Sequence, residues 1–109
     1  MAYDEALAGR VTDILGERTP FEPKKMFGGL ALMVEGHMCI GVMGDEIIAR
    51  IGSEAKDGAL GEPGTRPFDF TGRPMKGWVM VAPDVLADDE DVEEWVDRCL
   101  DHVHSLPPK

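Results

Sequence analysis

"LALMVEGHMCIGVMGDEIIARI", residues 30–51, decides the fold. Glu35-Gly36 and Gly44-Asp45 each separate two apolar runs by two residues, the pattern of tight hairpins. The spacing predicts a meander of strands over 30–34, 37–43 and 46–51. Residues 24–27 join its start through Gly28 and Gly29, a pair that suggests a bulge or a close backbone approach. With two-residue turns, Val34 pairs with His37 and Met43 with Glu46, and side chains alternate between faces. One face then gathers Ala31, Met33, Met38, Ile40, Val42, Ile47, Ala49 and Ile51, all apolar, and is expected to lie under helices. The other carries Leu30, Leu32, Val34, His37, Cys39, Gly41, Met43, Glu46, Ile48 and Arg50, a mixed face too apolar to be left to water.

The flanks supply the helices. In residues 3–16, Leu7, Val11, Ile14 and Leu15 fall at helical spacing, with Gly16 near the stop and Pro20 and Pro23 beyond it. A short helix is expected over 54–60 with Ser53 as its N-cap. "GEPGTRP" at 61–67 reads as loop, and "WVMVA" at 78–82 as a strand ended by Pro83. A last helix runs from Asp88 to about Ser105, with Val92, Trp95, Val96, Cys99, Leu100 and Val103 spaced three and four apart. Its acidic first turn suits the helix dipole. The fold expected is α+β, a two-layer sandwich. A twisted antiparallel sheet carries three helices mainly on one face, in the order helix, three or four strands, helix, one or two strands, helix, and residues 1–109 form one domain.

The chain has 109 residues, with 11 Lys and Arg against 21 Asp and Glu, a net charge of −10. Affinity for nucleic acid comes largely from cations displacing counterions at phosphates, so this balance opposes binding to DNA or RNA. No run approaches a membrane span, and "MAYDEALAGR" lacks the basic start and apolar core of a signal peptide. The cytoplasm is the expected compartment, where Cys39 and Cys99 stay free thiols.

Three constellations invite chemistry. His37 and Cys39 lie two apart on one strand with Arg50 opposite Cys39. A nearby cation lowers a thiol's pKa, which gives the reading of a small thiol-based enzyme or redox sensor. Against it, adjacent strand positions of one face point outward side by side. Cys99, His102 and His104 lack a second pair at metal-ligand spacing, so no metal is expected. "DFTGRPMKGWVMV", residues 69–81, concentrates positive charge in an acidic chain. Arg66, Arg73 and Lys76, with Lys24 and Lys25 alongside, either pair with the protein's own acids or form a docking loop for a protein or an anionic ligand. Trp78 follows directly. A weak nucleic-acid contact through Arg66, Arg73 and Lys76 is a further reading.

"KKMFGGLALMVEGHMCIGV" at 24–42 and "FTGRPMKGWVMV" at 70–81 resemble, in order and spacing, the N-terminal domain of the TfoX/Sxy competence-regulator family. The resemblance implies an α+β fold akin to type III secretion chaperones and a bacterial source. It implies a stand-alone N-terminal domain of regulators whose full-length forms have two domains and help a cAMP-receptor-type activator turn on competence genes. It brings no catalytic residue. The expected function is therefore a non-enzymatic regulatory or protein-interaction module without a cofactor. Its partner is a protein such as a transcription regulator, and the mixed sheet face suggests a homodimer.

Overall fold

Both tight turns form in the computed structural model, which describes residues 3–26, 28–69 and 74–107, without the side chains of 26, 53, 54, 56, 57, 69 and 74–76. Glu35 and Gly36 both take positive φ, 53° and 85°, the type I′ combination that matches strand twist. In the second turn only the leading residue, Gly44, does so, at 61°, as type II′ requires. The turns join β2 (Gly29–Val34), β3 (His37–Met43) and β4 (Glu46–Arg50). Strand β1 (Glu22–Met26) flanks β2, and its start at Glu22 lies two residues before the expected one. Beyond α2 (Ser53–Leu60), "TRPFD" is strand β5 (Thr65–Asp69), where a loop was expected, and β6 spans Pro74–Val81. The sheet is open and antiparallel in the order β1-β2-β3-β4-β6-β5. Its two edges carry Pro23 and Pro67, which withhold backbone donors from a stray strand.

Helices α1 (Glu5–Arg18), α2 and α3 (Asp89–His104) share one side of the sheet. Asp4 caps α1, its carboxylate accepting from the N–H groups of Ala6 and Leu7 at 2.9 and 3.1 Å. The helix ends at Arg18, two residues past Gly16, and Gly52, not Ser53, is the cap of α2. Helix α3 buries all six of its expected apolar residues. Each stabilises by roughly 1.5–3 kcal/mol before chain entropy is subtracted, so α3 is the principal lid of the core. Three arginines oppose its acidic strip. Arg98 is its own, while α1 supplies Arg10, 3.0 Å from Asp89, and Arg18, 2.5 Å from Asp97 and 3.6 Å from Glu93.

The expected face assignment holds for one half of the meander and inverts in the other. Met33 pairs with Met38, but Leu32 pairs with Ile40, so Cys39 is an extra residue in β3, a β-bulge. From Ile40 onward, Ile40, Val42, Ile47, Ala49 and Ile51 face the helices as expected. On the turn side, parity flips. Leu32, Val34 and Cys39 join the helix-side core, while Ala31, Met33 and Met38 lie on the opposite face with Ile48, Phe68 and Met80. A two-residue turn sets register only as far as the first bulge.

Gly29 marks a close approach. A Cβ there would lie 2.4 Å from the Val42 carbonyl oxygen, a backbone atom that cannot step aside. Gly9 in α1 has nothing within 4 Å of such a carbon. Urea denaturation is expected to show Gly29→Ala losing about 2 kcal/mol or more. Gly9→Ala should be neutral or gain up to about 1 kcal/mol, as a helix-interior glycine replacement does.

Candidate functional site

The bulge decides the fate of the thiol. Cys39 turns toward the helices and is sealed from solvent beside Cys99 of α3, also fully buried. The expected cation is not next to it. The β3–β4 ladder closes at Ile40–Ala49, one step short of a Cys39–Arg50 pair. The Arg50 guanidinium lies on the opposite face, 5.4 Å above the Trp78 ring, and donates to the Met38 carbonyl at 3.4 Å. Burial, and then the neighbouring Cys39, push the Cys99 thiol well above its ordinary pKa, with the Arg50 backbone N–H acting the other way. Cys99 is thus held as the neutral thiol, the poor nucleophile.

His37 is buried on the same side of the sheet. Its Nε2–H donates to the Pro107 carbonyl at 2.6 Å, which ties the end of the chain beyond α3 to β3. Its Nδ1 is buried and, among the described residues, has no partner. His102 is partly buried, and its pKa is lowered by desolvation first, then by the charges of Arg50 and His37. His104 is exposed. Among the described residues, no three His, Cys, Asp or Glu side chains converge in a way that holds a metal ion.

The basic residues are not gathered into one patch. Lys24 and Lys25 are exposed on the β1 edge, and Arg66 sits on β5 at the other edge. Five strand spacings, about 24 Å, separate the two edges. Arg66 forks onto Glu46, with Nε 3.2 Å from Oε2 and NH2 on Oε1, so its charge is matched within the chain. Arg73 and the side chain of Lys76 lie outside the described residues.

Trp78 occupies the helix-free face, half-buried, with the Phe68 ring 6.1 Å away at a 50° tilt. Met33 and Met43 are also half-buried there, while Ala31, Ile48, Met80, Phe68 and Met38 are buried. The face thus presents a rim of two thioethers, an indole and the Arg50 cation around a closed centre. Sequence reasoning missed a second feature, a cavity between α2 and α3 lined in part by Glu62, Asp101 and His102. Its signal was the run of small residues Ala55, Gly58 and Ala59 at helical spacing, which leaves room opposite α3.

A family model described as the TfoX N-terminal domain matches residues 13–103, which takes in the C-terminal part of α1, the whole sheet, α2 and α3 up to its last residue. No curated protein and no solved structure matches the chain. Among the described residues, no helix is long and apolar enough to cross a membrane.

Two outcomes follow from the burial. Ellman-type reagents should label neither Cys39 nor Cys99 in the native protein and both in guanidinium; rapid native labelling of Cys39 would contradict its position. His102 binds a proton less readily folded than unfolded, so its contribution to stability is present above its ordinary pKa and is lost as pH falls through that range. A thermal-melt series from about pH 7.5 to about pH 5.5 should show a smaller fall for His102→Gln than for the parent chain.

Proposed function

This chain belongs to the TfoX N-terminal domain family, and on that premise we propose that it is a non-enzymatic regulatory module of the competence-regulator kind, working by contact with another protein. The observation that carries this reading is the family match over 13–103, which spans both layers of the fold. Two features of the side chains support it. The candidate nucleophile Cys39 is sealed in the core, out of reach of a substrate in this conformation. Arg66, one of the cations assigned to the expected docking loop, is already bound to Glu46. That arrangement favours recognition by shape and apolar contact over attraction of an anion.

The contact surface in this reading is the helix-free face around Trp78. Methionines adapt to a partner's shape, and an indole beneath a guanidinium adds a rigid, amphipathic anchor. Met33, Met43, Arg50 and Trp78 supply these groups on one side of the sheet. The partner is a transcription regulator of a bacterial cytoplasm, and the sheet with its helices on one side serves it in the manner of a secretion-chaperone-like fold. A second copy of the chain is the other occupant this rim suits.

Tryptophan fluorescence separates these cases, because Trp78 lies on this face while Trp95 is in the helix-side core. In a Trp95→Phe background, a cAMP-receptor-type activator should shift Trp78 emission saturably, and Trp78→Ala should weaken binding by about tenfold or more, as loss of an interface anchor does. Binding untouched by Trp78→Ala would overturn the surface assignment. Light scattering that returns 11.9 kDa, the mass of one chain, would exclude the homodimer at that concentration.

A further inference from the structure

Helices α2 and α3 do not close on each other. Between them lies a cavity of about 630 Å³, within the range of roughly 300–1,000 Å³ typical of small-molecule sites. Ile51 and Ala59, both buried, form its apolar floor. Ala55 and Gly58 form the α2 wall, and a Cβ placed at Gly58 would meet nothing within 4 Å, so the space is set by small residues rather than by a strained backbone.

The polar rim selects by charge. Arg98 has its charge matched by acids of the chain itself. Its two terminal nitrogens donate to both Glu62 carboxylate oxygens at 2.7 and 3.0 Å and to Glu94 at 2.8 Å, and its plane lies 4.4 Å over the Trp95 ring. Asp101 is exposed on the rim and, among the described residues, makes no ion pair. His102 lines the cavity beside Gly52, where an added Cβ would come within 2.8 Å of Nδ1. Only glycine lets the imidazole keep that place. The rim therefore offers one unmatched carboxylate and an imidazole, beside an Arg98–Glu62 pair whose charges cancel.

We propose that the cleft between α2 and α3 binds a small organic cation, a free aliphatic amine whose ammonium pairs with Asp101 and whose short hydrocarbon body lies on Ile51 and Ala59. This site is separate from the helix-free face and does not depend on its role. The net charge of the chain, −10, favours a cation over an anion as its ligand.

The test is an NMR titration of the whole chain with n-butylamine, and with butyrate as the anion of matching size. The amine is expected to shift the Ala55 methyl and the His102 ring saturably, and butyrate to shift neither. Asp101→Asn should weaken the amine by about tenfold, and Ala55→Leu, which fills the cleft, should abolish its binding. Glu90→Gln, an exposed acid outside the cleft, should leave binding unchanged. The proposal is overturned by no saturable shift at about 50 mM amine, by equal binding of butyrate, or by Glu90→Gln weakening the amine as much as Asp101→Asn. If Ala55→Leu unfolds the chain, the contrast between Asp101→Asn and Glu90→Gln decides alone.

Discussion

Between Met38 and Ile40 the β2–β3 ladder carries one residue too many, and the side of the sheet taken by every side chain toward the turn depends on it. The alternative is an unbroken ladder. It would put Ala31 and Met33 under the helices and turn Leu32 and Val34 away from them, although both are fully buried in the helix-side core. Exchanging leucine for alanine there forfeits most of one large side chain's burial, on the order of 1.5–3 kcal/mol. The bulge costs a ladder hydrogen bond, a net of about 0.5–1.5 kcal/mol. Burial wins, and the strand takes the bulge.

The same residue disposes of the chemistry that the sequence invites. An exposed thiol facing Arg50 would be a plausible reactive centre. The bulge turns Cys39 inward to Cys99 and leaves Arg50 on the other face with Trp78. The cations follow a similar logic. Arg10 and Arg18 bridge α1 to the acids of α3, Arg98 binds Glu62, and Arg66 binds Glu46. In an acidic chain the described arginines serve mainly to hold its own elements together. What remains outward is a rim of Met33, Met43, Trp78 and Arg50 on the sheet, and a cleft between α2 and α3 with one unmatched carboxylate.

Elements whose signal is local were legible in the sequence. Helix α3 was plain because six apolar residues repeat at helical spacing, and both hairpins were plain because two-residue turns demand particular residues. Strand β5 was hidden. "TRPFD" holds a proline and too few apolar residues to read as a strand, and it exists because β6 offers it an edge. The bulge was equally hidden, since alternation looks the same on either side of an extra residue until the packing partners are known. The site was less legible than the fold. Lys24 and Lys25 read as neighbours of Arg66, but strand order puts them at opposite edges, and order in a sheet is not a local property.

The most direct test of this account is methyl nuclear Overhauser spectroscopy on protein labelled at methionine, isoleucine, leucine and valine. The Met38 methyl should show contacts to Met80 and Ile48 and none to Val96 or Leu100 of α3, while Leu32 and Val34 contact the helix-side core. Contacts from Met38 to α3, with Leu32 joined to Met80, would mean an unbroken ladder and would contradict the inward placement of Cys39.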